Sequence, residues 1–326
     1  MLSLLFSGRP AVSLDHALDD LPLSAARDAA LRGDWEPART VLSEAAGDWE
    51  RRAHRCEVLG TVGADHPQWL AAWAAAEPES PDAAVVLARA GVATAWNARG
   101  SGWARNTSAA AFDRFHRILA DAESAVVRAT TLAADDPSPW IWYLWLTIGR
   151  GDGRPVFERR WKELLTRDPH NYLGHEARFQ FSCRKWSGDH ERMYDFCRTA
   201  AASAPPGSPL ALLPLQAHFE FELIEADRGG EQGAARVAAL WDSAEVRADI
   251  DTAKQRWLGA GPPEHALAMK SRSVLARALT RAGRFAEAAE QFAAIGPYVS
   301  EYPWYYDNGG PRHAFLAARR KARRGR

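Results

Sequence analysis

Four stretches of the sequence place a glycine between two segments of helical apolar spacing, and no other feature constrains the fold as strongly. The glycines are Gly33, Gly153, Gly188 and Gly283. Glycine readily adopts the left-handed conformation that ends a helix. About five residues after each of them, a small or apolar residue starts the contact face of a second helical pattern. The pattern predicts tight turns within helical hairpins.

Prolines mark a second kind of turn, between one hairpin and the next. They occur at Asp136-Pro137, Asp168-Pro169 and Pro205-Pro206, with spacings of 32 and 36 residues. The tetratricopeptide repeat has a period of about 34 residues. Proline suits the first position of a helix because its φ is already helical. It has no N–H, and an N–H at that position would have no partner within the helix. The two kinds of turn together predict tetratricopeptide-like units.

We therefore predict an all-α fold, a tetratricopeptide-like helical-hairpin solenoid of about six hairpins. No run of alternating β-branched residues bounded by turns predicts a strand. We expect one helical-repeat domain over 1–326, with a sub-boundary near 100–110, an isolated helix over 232–257 and a basic tail over 319–326. The predicted hairpins lie near 24–46, 66–100, 112–148, 155–185, 189–225 and 265–295.

The composition limits the class of protein. The chain is 47% hydrophobic and 25% charged, and 41 basic residues balance 41 acidic ones, so no net charge draws its body to nucleic acid or a membrane. The N-terminal apolar run is too short for a signal peptide, and no apolar stretch reaches the roughly 20 residues of a membrane span. The three cysteines form no Cys-x-x-Cys pair. We expect a cytoplasmic protein without a metal or other cofactor.

One segment goes beyond a generic repeat. It runs Trp96-Asn-Ala-Arg-Gly-Ser-Gly-Trp-Ala104 and is followed by a Phe-containing helix, an Asp-Pro turn and Trp186-Ser-Gly188. It resembles a bacterial family of tetratricopeptide-like proteins known only as a domain of unknown function. The resemblance covers about 80–225, although this chain lacks the family's proline before the Trp186 turn. It implies the fold and carries no activity, cofactor or partner.

The glycine-rich loop within that motif is the first candidate binding site. Its residues are Arg99, Ser101 and Trp103, between which two glycines allow close approach of another group. The Arg99 guanidinium could hold an anion in a bidentate fork, and Trp103 could add a flat surface. The alternative, which we favour, is that the loop packs back on the helices and Arg99 satisfies carbonyls at the end of its own helix.

Aromatic residues supply the other candidates. The stretch 139–145 is the most aromatic in the chain, and Trp142 could face a groove that binds a peptide, although we expect most of the stretch to lie in the core. Near the chain end, 304–306 predicts an exposed aromatic patch that includes Trp304 and Tyr305. Such a patch often marks an interface, and it makes a homodimer one alternative.

Catalytic patterns fail on inspection. The pairs His175-Glu176 and His190-Glu191 lack the second histidine that a zinc protease needs four residues after the first. The basic tail could contact nucleic acid or an acidic partner, but a solvated, frayed end is the simpler interpretation.

We therefore expect a protein-interaction or scaffolding module that binds a peptide or partner protein on its concave face, and not an enzyme. The alternative is a pathway-accessory enzyme or small-molecule binder with a pocket near Arg99 and His175. That alternative requires Arg99, His170, His175 and Glu176 to share a cavity. We expect no nucleic acid beyond the basic tail and no membrane.

Overall fold

The computed structural model describes residues 12–100 and 102–325, and within them the fold is all-helical, as predicted. Short 3-10 helices occur at Ala104–Asn106, Pro209–Leu212 and Trp304–Tyr306. None of the helices in the described ranges is long and apolar enough to cross a membrane. In chain order the α-helices are α1 (Leu21–Leu31), α2 (Glu36–Glu44), α3 (Trp49–Asp65), α4 (Pro67–Ala76), α5 (Pro81–Arg99), α6 (Ala109–Leu132), α7 (Ser138–Arg150), α8 (Arg154–Arg167), α9 (Tyr172–Ser182), α10 (His190–Ser203), α11 (Leu213–Arg228), α12 (Gly230–Trp241), α13 (Ala244–Leu258), α14 (Ala268–Arg281), α15 (Phe285–Ile295) and α16 (Pro311–Arg324).

Polar caps start many of these helices. The Asp20 carboxylate accepts the Leu23 N–H at 3.1 Å to begin α1, and the Ser108 hydroxyl accepts the Ala111 N–H at 3.2 Å to begin α6. Such caps satisfy amides that have no partner within the helix. Local sequence therefore determines where these helices start, and tertiary packing determines how they are arranged.

The glycines in the predicted turns serve two purposes. Gly33, Gly153 and Gly283 have φ of 91°, 83° and 72°, a region that favours glycine. Gly188 has no positive φ, but a Cβ added there would lie 1.8 Å from the Ser182 carbonyl oxygen. At this turn glycine is required because two backbone segments approach closely.

Helices occupy all six predicted segments, but two features differ from the prediction. α3 fell in none of the predicted hairpins, yet it packs along α5 and contacts α7 and α9. The isolated helix expected over 232–257 is two helices, α12 and α13. The chain breaks between them because the Ser243 hydroxyl caps α13 by accepting the Val246 N–H at 3.1 Å.

Two apolar clusters form the core. The larger draws on α1 to α11, and the smaller on α11 to α16. Val12 belongs to the second cluster although it lies at the start of the described chain. A parallel bridge holds this segment, because the Ser13 N–H donates to the Pro297 carbonyl at 2.8 Å and the Val299 N–H donates to that of Ser13 at 3.0 Å. The segment that precedes α1 is thereby fixed beside α14 and the loop that follows α15.

The basic C-terminal segment is helical as far as Arg324, in contrast to the frayed tail that we expected. Phe315 and Ala322 of α16 are fully buried. The Arg319 guanidinium lies 5.2 Å from the centre of the Phe315 ring. The apolar stripe of α16 packs on α15, and this packing supplies the stability that a row of basic residues lacks.

Candidate functional site

Two neighbouring cavities lie where α3, α5, α7 and α14 approach one another. The first, of about 210 Å³, is bordered by the segment before α1, by α3, by α14 and by the loop 299–302. The second, of about 230 Å³, is bordered by α3, α5 and α7. Glu57 and Arg89 line both. We name them the His54 cavity and the Trp142 cavity, and together the inner groove.

Close packing of α3 on α5 positions Arg89 between the cavities. A Cβ added at Gly60 would lie 2.3 Å from Arg89 Cγ and 3.2 Å from the Ala90 backbone nitrogen. One turn on, a Cβ at Gly63 would lie 3.3 Å from the Ala90 Cβ. Two glycines on one helix face therefore let α5 approach α3, and the stem of Arg89 crosses α3 at Gly60.

The Arg89 guanidinium has few partners of its own. Nη2 donates to the Thr61 hydroxyl at 3.2 Å, Nε is buried without a partner, and the group lies 5.2 Å from the centre of the Trp142 ring. Among the described carboxylates, none forms an ion pair with it. Burial lowers the pKa of Arg89, while the more distant Glu57 acts in the opposite direction. Arg89 is thus a half-buried cation beside an open cavity.

His54 is the second group with few partners. It is 3% exposed, and its ring nitrogens form no well-aligned hydrogen bond within the described residues, although the Ala17 backbone interacts with the ring. Burial lowers the pKa of His54 to about 4, so the ring is neutral at pH 7 and offers one donor and one acceptor. Burying polar atoms without partners costs stability, and a ligand in the His54 cavity could supply the missing bonds.

The opposite wall of the His54 cavity carries Lys270 and Tyr302. Lys270 Nζ lies 2.6 Å from the Glu176 carboxylate and 5.5 Å from the centre of the Tyr302 ring. The Tyr302 hydroxyl has no partner in the described part of the chain. Burial raises the pKa of Tyr302 well above its usual value, so the phenol stays protonated and available as a donor.

Two of the residues predicted in the glycine-rich loop, Arg99 and Trp103, line neither cavity of the inner groove. Arg99 donates to the carbonyls of Gly100 and Gly102 at 3.1 and 3.3 Å, and its guanidinium lies over the rings of Trp96 and Trp186. The favoured alternative, a loop that packs back on the helix end, fits this geometry.

Trp103 and Ser101 are the other two residues of the loop that were predicted to bind a ligand. Trp103 is half-buried, with the Arg105 guanidinium 5.1 Å from its ring centre. Ser101 falls outside the described residues. Trp103 does not line either cavity.

The two parts of the sequence motif meet in space. The Trp96 and Trp186 rings pack edge to face with centres 5.3 Å apart, and Arg99 lies beside both. The motif thus joins the end of α5 to the turn between α9 and α10. Packing accounts for Arg99 and Trp186 without a ligand, while Trp96 also lines the Trp142 cavity.

The aromatic candidates separate into three environments. Trp142 is 2% exposed and lines the Trp142 cavity. The exposed patch expected at 304–306 is wrong for Trp304, which is 1% exposed and packs against Phe292 and Phe315. Tyr305 is exposed, as expected.

The residues that would define a pocket near Arg99 and His175 do not converge. His175 is buried, with Nδ1 2.8 Å from the Asn171 carbonyl oxygen and its ring edge-on to Trp161. The neighbouring Glu176 instead pairs with Lys270. Arg99 lies in the tryptophan cluster. Among the described residues, no three His, Cys, Asp or Glu side chains are grouped so that they could hold a metal ion.

Sequence analysis missed His54, Glu57, Arg89, Lys270 and Tyr302, because no motif links residues so far apart in the chain. A weak signal was present in Gly60 and Gly63. Glycine inside a helix costs about 1 kcal/mol relative to alanine, so two of them on one face indicate a close helix contact.

Comparisons with protein-family models, with curated proteins and with solved structures gave no match.

Proposed function

We propose that the chain is a tetratricopeptide-like helical-repeat protein that binds a peptide segment of a partner protein in the inner groove. One observation carries the proposal. Two adjoining cavities share Glu57 and Arg89, and buried polar atoms without partners line them. A bound segment could supply hydrogen bonds to these atoms.

The repeat architecture is part of the proposal, and the resemblance to the bacterial tetratricopeptide-like family agrees with it. It is supported by the packing of sequence neighbours, such as α1 on α2 and α14 on α15. In a stack of helical hairpins each unit buries its apolar face on the next, and the inner surface is left to bind a ligand. We assign the inner groove to that concave surface.

The lining of the groove favours a peptide. Trp142, Trp96 and Trp145 supply apolar and aromatic surface in one half, and His54, Glu57 and Lys270 supply donors and acceptors in the other. Peptides bury side chains while their backbones need hydrogen bonds, so a ligand of this kind uses both halves.

The test is selection from a displayed library of random peptides, with the full chain immobilised. Asn97 is exposed and lines the rim of the Trp142 cavity. An Asn97→Trp variant fills the rim without entering the core. The control is Gln68→Trp, at an exposed position of α4. Peptides that bind wild type and Gln68→Trp but not Asn97→Trp would support the proposal. Selection of no peptide, or of peptides indifferent to Asn97→Trp, would refute it.

A further inference from the structure

The Trp142 cavity is rich in hydrogen-bond donors that lack acceptors. Arg89 Nε, Trp96 Nε1 and Trp142 Nε1 are all buried without a partner among the described residues, and all three side chains line this cavity. An indole N–H and a guanidinium can only donate. A ligand that pairs with these groups must therefore offer acceptors.

The charge on Arg89 narrows the choice of acceptor. The guanidinium stacks on Trp142 and forms no ion pair with a described carboxylate. A guanidinium matches the two oxygens of a carboxylate with parallel hydrogen bonds. We infer that Arg89 and Trp142 bind the side-chain carboxylate of an aspartate or glutamate in the bound peptide. This inference rests on the proposed function and names the class of peptide.

Glu57 explains why a peptide fits better than a free anion. It lines the same cavity and repels a negatively charged ligand. In a peptide, the backbone N–H groups beside the acidic residue are donors, and they can face Glu57 while the carboxylate faces Arg89. A phosphate group brings more negative charge and no such donors, so the geometry favours a carboxylate.

The experiment uses the full chain and two degenerate nonapeptide pools, acetylated and amidated, that differ only in a fixed central residue, Glu or Gln. Wild type should bind the Glu pool roughly tenfold better, as expected for a charge-assisted hydrogen bond. Arg89→Met should abolish that preference, and Arg89→Lys should reduce it because the fork is lost. The control Arg128→Gln, at an exposed arginine of α6, should keep it. Thermal melts establish that each variant is folded.

Other outcomes of this experiment distinguish failure of the carboxylate inference from failure of the proposed function. Equal binding of both pools, abolished by Asn97→Trp, would overturn the carboxylate inference and leave the proposed function standing. A Glu preference that appears only with a free C-terminus would overturn the assignment to a side chain. If neither pool binds, the proposed function fails, and the inference that rests on it fails with it.

Discussion

Arginines on α3 and α5 illustrate two environments for a positive charge. On α3, Arg52 lies 2.6 Å from Asp136 and 2.7 Å from Asp82, while Arg55 contacts both oxygens of Asp20. Burial alone would lower the pKa of Arg52, but the surrounding negative groups raise it. Arg89 on α5 has one hydroxyl and one ring as neighbours.

The difference distinguishes an arginine that holds the fold together from one that we propose binds a ligand. Arg52 links α3 to the turn before α7 and to the start of α5, so its carboxylates join three elements. Arg89 joins no charged groups and borders open space in both cavities. A buried ion is tolerated when partners compensate its desolvation. An ion without partners indicates a position kept for binding, and the predictions below test that distinction.

The largest effect should come from Arg52→Met. Removing this guanidinium leaves Asp136, which is 3% exposed, without its cation. Breaking a buried pair on one side costs about 3–5 kcal/mol, which urea denaturation will measure. The control is Arg39→Met, because Arg39 is 47% exposed and pairs with Glu77 at the surface. Its loss should cost less than about 1 kcal/mol, and equal losses would remove the basis of the comparison.

Gly60→Ala should have the next largest effect. The new methyl would lie 2.3 Å from Arg89 Cγ, so either α5 or the Arg89 stem must move. Overpacking costs about 1–3 kcal/mol, and we expect a value near the upper end. Gly102→Ala is the matched control, since no atom lies within 4 Å of its added Cβ. Gly60→Ala should also weaken the preference for the Glu pool. A stable variant with unchanged preference would show that Gly60 does not position Arg89.

The low pKa of His54, which like Arg89 has few partners, predicts that the fold loses stability in acid. Its pKa is about 4 in the fold, below the ordinary 6.5, because burial penalises the charged ring. The unfolded chain therefore binds the proton more tightly, and stability falls as the pH drops through 6.5 towards 4. Between pH 8 and pH 5 His54 alone should account for about 2 kcal/mol of the loss.

Urea denaturation at several pH values checks the His54 prediction. His54→Leu should show a shallower pH dependence than wild type. His116→Gln, at an exposed position of α6, should match wild type. A His54→Leu profile parallel to that of wild type would mean that another group causes the acid sensitivity, and His175, with a pKa also near 4, would be the first to examine.

The helices could be predicted from the sequence because the residues that start and end them act over short distances along the chain. The glycine turns and polar caps act within a few residues, and the six predicted segments all hold helices. The break between α12 and α13 was missed because helical spacing continues across it and only the Ser243 cap interrupts it. α3 was missed although turns of both kinds flank it: Gly47, with φ of 85°, precedes it and Pro67 follows it, but neither turn was assigned to a hairpin.

The inner groove could not be predicted in the same way. Arg52 and Arg89 are both arginines on apolar helices, and what distinguishes them is Asp136, which is 84 residues away from Arg52. Trp142 was predicted as a groove residue from its aromatic setting and does line a cavity. Trp304 was expected to be exposed and is as buried as Trp142, because α15 and α16 cover it.

Arg89→Met should have the smallest effect on stability and the sharpest on binding. The variant loses the contact of the guanidinium with Trp142, worth about 0.5–2 kcal/mol, but it also removes the desolvation of an unpaired charge. These terms oppose each other, so unfolding in urea should stay within about 1 kcal/mol of wild type, as is common where function is kept at the expense of stability. Arg52→Met, measured beside it, gives the contrast. A loss at Arg89 as large as that at Arg52 would make Arg89 a structural residue. A stable Arg89→Met that no longer distinguishes Glu from Gln peptides would place the charge in the groove for the ligand.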